Sequence, residues 1–278
     1  MKKFFAILVA LGAMSVVSVA ALASPQSDLK AFQGYFKKRF PNVPLAAYAN
    51  GAYALNANAR AQWKSIMLFP PYEFELAKGK KLWNTPFKDG KTYASCFRNG
   101  GIDIAQHYPY WDKRTHEVRT IEMDINSCRK RNGEAPFKDL TQGPIAELTA
   151  YMKSLSRGKP VSINLSSPGM LKAYENGRKF FWARRGQLNF SCATCHVDNA
   201  GKYIRGNVLS AALGHGLGFP AYRAKFGHLI TLDKRYMGCN KKVRAAPFKP
   251  QSVEYRDLEV YETYMDTGLP LEAPSYRP

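Results

Sequence analysis

Cys192-Ala193-Thr194-Cys195-His196 is the most informative part of this sequence. The pattern C-x-x-C-H is the attachment signature of a c-type haem, in which two thiols add to the porphyrin vinyl groups and the histidine ligates the iron. The alternatives are a dithiol redox pair or half of a zinc site. A zinc site would need a second C-x-x-C or an H-x-x-x-H, which the sequence lacks, and a dithiol enzyme would not need the adjacent histidine. The motif therefore predicts a covalently attached haem c.

The N-terminus predicts export from the cytoplasm. Lys2-Lys3 precedes an apolar run that ends near Leu22, and Ala21-Leu22-Ala23 offers a cleavage site. This is the pattern of a secretory signal peptide over residues 1–23. A membrane anchor is disfavoured because the run is short and is followed by Pro25 and polar sequence, and we expect no membrane span. Because haem c is attached outside the bacterial cytoplasm, where disulfides also persist, we expect a periplasmic protein.

The chain is strongly basic, with a formal net charge of +20 over 278 residues. Nucleic-acid binding is the first class to consider for such a charge. It is disfavoured because the basic residues are spread along the chain and an exported protein meets little nucleic acid. The charge better suits a small anionic substrate or an acidic protein partner.

Two stretches of the chain repeat the same motifs in the same order. The interval from Cys128 to Ala135 is seven residues, as is that from Cys239 to Ala246. An ordered series of such matches indicates two copies of one small domain. The first copy contains Gly79-Lys80-Lys81-Leu82-Trp83, Cys96, Cys128, Ala135-Pro136-Phe137-Lys138 and Tyr151-Met152, and the second contains Gly177-Arg178-Lys179-Phe180-Phe181, Cys192, Cys239, Ala246-Pro247-Phe248-Lys249 and Tyr264-Met265.

The repeat sets the expected domain plan. A helix precedes the first cysteine of each copy, and a second helix is expected near 142–156 and 255–266. We expect a mainly α fold with two tandem cytochrome c-like domains, over 71–160 and 161–278, after an N-terminal extension over 24–70. The apolar residues at helical spacing in the first helices are Phe74, Ala77 and Leu82 in one copy and Leu171, Tyr174, Phe180 and Phe181 in the other.

The two copies differ in their cysteines. The first copy reads Cys96-Phe97-Arg98-Asn99-Gly100, with neither a second cysteine nor a histidine, so we expect one haem, in the second copy. His107 and His116 are expected at the surface. In an oxidising compartment, Cys96 and Cys128 are expected to form a disulfide that stabilises the copy without haem.

Cys239 is left over after this count of five cysteines. It follows His196 by 43 residues, where small c-type cytochromes place their second axial ligand. It can be a buried inert thiol, a reactive thiol or an iron ligand, with Met237 as the conservative alternative ligand and His215 and His228 as further ones. Because Cys239 aligns with Cys128 whereas Met237 aligns with Asn126, the repeat favours Cys239 as the ligand.

The surroundings of Cys239 are cationic, through Lys234, Arg235, Lys241, Lys242 and Arg244. Positive charge stabilises a thiolate, which is the nucleophilic and metal-binding form of cysteine, and a guanidinium suits an oxyanion. On a helix, Arg235 would share a face with Cys239. The alternative is a solvated basic loop. The first copy has Asp124 in the position of Arg235, so it should lack the anion-binding feature.

The chain resembles the SoxA family, the catalytic cytochrome subunits of the SoxAX complex of bacterial sulfur oxidation. The resemblance extends from the mature N-terminus to Leu269-Pro270 and is carried by the two-copy layout, the C-x-x-C-H motif, Gly218-Phe219-Pro220-Ala221-Tyr222-Arg223 and Arg235-Tyr236-Met237-Gly238-Cys239. It implies that Cys239 is the distal haem ligand and the catalytic residue, able to carry a persulfide sulfur, and that Arg235 contacts the substrate. The missing first-copy motif implies the single-haem type.

The resemblance also implies an activity and partners. It implies a haem-dependent S-thiosulfotransferase that joins thiosulfate oxidatively to a cysteine of the carrier SoxYZ and passes electrons to the cytochrome SoxX, its partner in a heterodimer. Two alternatives remain at this point. One is a thiosulfate dehydrogenase that couples two thiosulfates to tetrathionate, and the other is an electron carrier with His/Met ligation and no catalysis.

Overall fold

The computed structural model describes residues 24–278, so the expected signal peptide at 1–23 lies outside the described residues. The described part is mainly helical, with short hairpins between the helices. None of its helices combines the length and the apolar character that a membrane crossing requires. The helices are α1 (Pro25–Arg39), α2 (Ala57–Ile66), α3 (Glu73–Asn84), α4 (Ile121–Arg131), α5 (Pro144–Ser154), α6 (Pro168–Trp182), α7 (Leu232–Lys242) and α8 (Val253–Met265).

Within residues 24–278 the strands are short and lie in three small sheets. Antiparallel hairpins are formed by β1 (Tyr110–Asp112) with β2 (Glu117–Arg119) and by β3 (Tyr203–Ile204) with β4 (Asn207–Val208). In the third sheet, β5 (Ala221–Arg223) is central and pairs antiparallel with β6 (His228–Ile230) and parallel with β7 (Ser275–Arg277). The sequence patterns predicted helices and did not predict these hairpins.

Local sequence explains where several helices begin. The side chains of Ser24, Asn56, Thr120 and Ser167 each accept a hydrogen bond from the backbone N–H three residues later, which satisfies a donor that the first turn leaves free. Prolines occupy the first helical position of α1, α5 and α6, where a missing N–H costs nothing.

Two similar helix pairs form the centre of the fold. In one pair, α3 crosses α5 at Gly79, where an added Cβ would lie 2.1 Å from the carbonyl oxygen of Glu147. In the other, α6 crosses α8 at Gly177, where a Cβ would lie 1.9 Å from the carbonyl oxygen of Asp257. Glycine is required at both positions because the backbones approach too closely for any side chain. The sequence repeat that begins at these two glycines therefore reflects the same close helix–helix packing in both halves.

The structure corrects the alignment of the two closing helices. The sequence comparison paired Tyr151 with Tyr264. The Cβ of Tyr151 packs against Gly79, and it is Tyr261 that packs in the same way against Gly177. Tyr261 therefore corresponds to Tyr151, and the pairing with Tyr264 was wrong by three residues, close to one helical turn.

Each helix pair is accompanied by a hairpin and a further helix. Equivalent residues of these elements in the two halves are separated by a constant number of residues. The hairpin β1–β2 leads into α4, and β5–β6 leads into α7. Thr120 and Thr231 precede these helices, and Cys128 and Cys239 occupy the same turn within them. The spacing of 111 residues between equivalent positions holds from the first strand of each hairpin to the cysteine.

The N-terminal helix packs against the second helix pair, far along the chain. Phe32 lies edge-on to Phe181 and Tyr261, with ring centroids 6.3 and 6.4 Å apart. The hydroxyl of Tyr174 donates to Asp28 at 2.9 Å. The N-terminal extension is therefore packed against the α6–α8 pair through α1.

Two apolar residues expected in helix cores face solvent instead. Phe74 on α3 is 81% exposed and Leu171 on α6 is 41% exposed. The buried face of α6 is formed by Met170, Ala173, Tyr174, Gly177 and Phe181, a spacing of three and four residues that leaves position 171 outside.

The interior around Cys96 is filled by the protein itself. Cys96 and Cys128 are joined by a disulfide, with Cα atoms 5.7 Å apart. Trp83 is buried and stacks on Tyr93 and Phe97, with ring centroids 5.7 and 5.3 Å away. These rings and the disulfide occupy the space next to α4 that corresponds to the space next to α7 in the second half.

Candidate functional site

The C-x-x-C-H stretch forms a short helical turn that its own side chains fix. Ser191 and Thr194 each accept a hydrogen bond from the backbone N–H of the other, at 3.0 and 3.1 Å. The turn then continues as a π-helical segment over Thr194–Asp198, a rare conformation that often occurs at functional sites. The motif is thus held in one conformation by residues within and next to it.

His196 is buried and prepared to bind a metal. Its Nδ1 lies 3.0 Å from the carbonyl oxygen of Ser210, and Nδ1–H donating to a carbonyl leaves Nε2 with a free lone pair. Burial, followed by the neighbouring His215 and Arg235, lowers the pKa of His196 well below its ordinary value. The ring is therefore neutral near pH 7, which is the form that ligates a metal ion.

The N-terminal helix holds the turn that follows His196. Arg39, the last residue of α1, donates hydrogen bonds to the carbonyl oxygens of Val197, Asp198 and Ala200, the last two at 3.0 and 3.2 Å. These carbonyls lie at the end of the π-helical segment, where they lack partners within it. Arg39 is thus a positioning residue that the sequence analysis missed, because 158 residues separate it from Val197.

Three cysteines of the second half remain free among the described residues: Cys192, Cys195 and Cys239. Burial raises the pKa of Cys192 and of Cys195, and the charge of Cys239 acts on both in the same direction. Cys239 lies half-buried on α7. Because it influences both thiols, α7 lies close to the C-x-x-C-H turn. Met237 lies half-buried on the same helix and packs against the hydrophobic core.

The donor groups of this site fit a haem c. Two free thiols and a neutral imidazole follow one another in the required order, and a further thiol comes from α7. Arg185 lies close enough to Cys192 for their charges to interact, and its buried Nε has no hydrogen-bond partner among residues 24–278. A buried donor without a partner is costly, and an acidic group such as a haem propionate would satisfy it.

Positive charge surrounds Cys239 in the structure. Arg235 precedes it by one helical turn on α7, and both are half-buried. Burial, followed by the charge of Arg235, lowers the pKa of Arg223 to about 10 and also lowers the pKa of Lys242. Within residues 24–278, neither Arg235 nor Lys242 has a carboxylate within salt-bridge distance. Three cations beside a thiol, of which Arg223 and Arg235 are half-buried and Lys242 is exposed, form a site for a small anion.

Arg223 is a residue of this site to which the sequence analysis gave no role. It lies in the quoted stretch Gly218–Arg223, but its distance of 12 residues from Arg235 gave no periodic signal. The hairpin β5–β6 turns the chain back so that Arg223 reaches α7. Its guanidinium donates two hydrogen bonds to the backbone oxygen of Pro278, at 3.0 and 2.6 Å, which fixes its position.

The corresponding place in the first half lacks the anion site. Asp124 stands where the second half has Arg235, and it pairs with Arg119 at 2.8 Å. It also accepts hydrogen bonds from the hydroxyls of Tyr108 and Tyr110 at 2.7 and 3.0 Å. His107 and His116 are exposed. The first half therefore presents a neutralised carboxylate and a disulfide where the second presents cations and a thiol.

A mainly helical fold with a buried histidine directly after two free cysteines defines a cytochrome c-like protein. A family model described as the SoxA/TsdA cytochrome c domain matches residues 78–161. The chain is 49% identical over 251 residues to the L-cysteine S-thiosulfotransferase subunit SoxA of Chlorobaculum tepidum, covering 90% of this chain and 87% of that protein. It therefore belongs to the SoxA family, and its cytochrome c domain implies haem c.

Other similarities agree with this assignment. The SoxA subunit of Allochromatium vinosum, described by the same activity, is 46% identical over 274 residues, which is 98% of this chain and 97% of that protein. Among solved structures, the crystal structure of SoxXA from P. pantotrophus matches with a TM-score of 0.72 and 28% identity, over 78% of this chain and 84% of that chain.

Proposed function

We propose that this protein is the catalytic subunit of an L-cysteine S-thiosulfotransferase, which joins thiosulfate to a cysteine of the carrier SoxYZ in the periplasm. The observation that carries the proposal is the free thiol of Cys239 on α7, surrounded by cations and brought to a C-x-x-C-H turn. The names of the relatives support the activity.

The two halves are two cytochrome c-like domains over 71–160 and 161–278, following the segment 24–70, and only the second holds haem. The disulfide between Cys96 and Cys128 and the rings stacked on Trp83 support this, because they fill the space that a haem would need. The mass of the mature protein gives the number of attached haems. One haem is expected, and two would contradict the proposal.

The residues that hold the cofactor follow from the geometry of the turn. Cys192 and Cys195 would form the thioether bonds, and His196, through Nε2, and Cys239 would ligate the iron. When bound, the haem supplies a one-electron acceptor beside the sulfur of Cys239. Arg185, whose buried Nε has no partner among residues 24–278, would pair with an acidic group of the haem.

The chain's own residues bind and orient the substrate. Arg235, Arg223 and Lys242 hold the sulfonate end of thiosulfate, since charge-assisted hydrogen bonds suit its oxygens. The outer sulfur of thiosulfate is thereby directed at the sulfur of Cys239.

The chemistry divides into two balanced steps. In the first, the thiolate of Cys239 and the outer sulfur of thiosulfate form an S–S bond, and two electrons leave, one at a time, to the SoxX cytochrome of the heterodimer. In the second, the carrier thiolate attacks the sulfur next to the sulfonate, forms its own S–S bond and releases the Cys239 thiolate by exchange. If Cys239 carries a persulfide, the outer sulfur of the persulfide replaces the Cys239 sulfur in both steps: it forms the S–S bond in the first and is released in the second.

An assay with and without the carrier tests this function. Thiosulfate should be consumed only when SoxYZ and an electron acceptor are both present, and mass spectrometry should show thiosulfate bound to the carrier cysteine. Formation of tetrathionate at the same rate without carrier would show a thiosulfate dehydrogenase instead. Electron transfer without thiosulfate consumption would show a simple electron carrier.

Replacing Arg235 with glutamine should raise the KM for thiosulfate by roughly 10- to 100-fold, because a charged hydrogen bond worth about 1.5–3 kcal/mol is lost. Lys241→Gln is the matched control, since Lys241 is exposed on the same helix. Steady-state kinetics with carrier in excess measure both variants. Equal KM values for the two variants would remove Arg235 from the site.

A further inference from the structure

His215 lies beside the axial histidine rather than at the surface. The sequence offered it only as a further candidate for the iron ligand. Its ring stands perpendicular to that of His196, with centroids 4.5 Å apart, and its side chain is only 14% exposed. It comes from the loop before β5, which returns to the C-x-x-C-H turn.

A buried carboxylate lies behind His215. Glu262 on α8 is 5% exposed, and its Oε1 lies 3.1 Å from the Nε2 of His215. Its other oxygen accepts a hydrogen bond from the hydroxyl of Tyr236 at 2.6 Å. Tyr236 follows Arg235 on α7 and is itself buried. Glu262 thus links the neighbour of the axial histidine to the helix that carries Cys239.

Glu262 also lies near Cys192. After burial, its negative charge is the largest influence that raises the pKa of Cys192. The carboxylate therefore influences the C-x-x-C-H turn both through His215 and directly at Cys192. The mechanism above assigns it no part.

We propose that Glu262 sets the redox equilibrium of the haem iron by placing a buried negative charge behind His196, through His215. The proposal rests on the haem site of the proposed function. A negative charge in a low-dielectric interior stabilises the oxidised iron, which carries one more positive charge than the reduced iron. Tyr236 opposes this effect in part, because its hydroxyl donates to the carboxylate and disperses its charge. Glu262 is a positioning residue and does not contact substrate.

Two substitutions should shift the midpoint potential in opposite directions. Glu262→Gln removes the charge but keeps the shape, and should raise the potential by about the equivalent of a tenfold change in the ferrous-to-ferric ratio, which is 59 mV for one electron. Tyr236→Phe removes the donor but keeps the charge, and should lower the potential. Spectroelectrochemical titration of the purified holoprotein at pH 8 measures both.

Asp257→Asn is the matched control. Asp257 is also on α8 and also 5% exposed, but its carboxylate accepts from Asn176, so its replacement should leave the potential near that of wild type. A shift of E262Q and Y236F in the same direction, or of D257N as large as that of E262Q, would overturn the proposal. If E262Q does not fold, Y236F decides alone, and an unchanged or raised potential overturns it. Failure of the haem site itself would show separately, as an absent haem absorbance in wild type.

Discussion

Replacing Cys239 with alanine should lower thiosulfate-dependent transfer to the carrier by at least about 10³-fold, the scale expected when a nucleophile is removed. The reason is that Cys239 is a free thiol on α7 within the cation site, and both proposed steps form or break a bond at its sulfur. Turnover is measured with SoxYZ and an electron acceptor, and haem content is measured alongside.

Two controls separate the thiol from its surroundings. Met237→Leu removes the other sulfur of α7, which is half-buried like that of Cys239, and should keep activity within a few-fold of wild type. Cys239→Ser keeps the size but not the thiol chemistry and should be as inactive as Cys239→Ala. Full turnover by C239A, or its loss in M237L with an altered haem spectrum, would transfer the ligand role to Met237 and leave the simple electron carrier as the better description.

Replacing Gly177 with alanine should destabilise the protein by at least about 3 kcal/mol, the upper range for overpacking. An ideal Cβ there would lie 1.9 Å from the carbonyl oxygen of Asp257 and 2.8 Å from the Cβ of Tyr261. Both contacts involve backbone or rigid atoms, so α6 and α8 would have to separate. Denaturant unfolding of the holoprotein, followed by far-UV circular dichroism, measures the loss.

Gly34→Ala is the matched control for this prediction. Gly34 lies within α1, also in a helix, and nothing approaches within 4 Å of the position of its Cβ. Alanine should therefore leave stability unchanged or raise it by up to about 1 kcal/mol, through its better helix propensity. Gly79→Ala should behave like G177A, because its Cβ would lie 2.1 Å from a carbonyl oxygen. Wild-type stability in G177A would refute the close helix crossing in this half.

Much of the fold followed from the sequence because its signals are periodic or local. The repeat predicted the two helix pairs, although the last helix was aligned three residues out, at Tyr264 instead of Tyr261; it did not predict α4 and α7. Tyrosines at both positions made the sequence ambiguous, and only the contact with Gly177 distinguishes them. Phe74 shows the same limit, since an apolar side chain at helical spacing does not reveal which face is covered.

The candidate site could be predicted in part for the same reason. Arg235 and Cys239 are four residues apart on one helix, so their shared face follows from helical geometry. Arg223, His215 and Glu262 belong to the site or to its support through contacts across hairpins and helices, and no spacing in the sequence shows them. Arg39 is the extreme case, since it supports a turn more than 150 residues away along the chain.

The sequence by itself determined the cofactor chemistry, because C-x-x-C-H depends on the order of neighbouring residues and needs no knowledge of the rest of the chain. It also determined that one of two related halves carries this motif. Only the tertiary structure decided what surrounds it: a neutral His196 held by Ser210 and Arg39, a carboxylate behind His215, and three cations around Cys239. Burial and charge depend on distances through space, and these are set by how the helices pack.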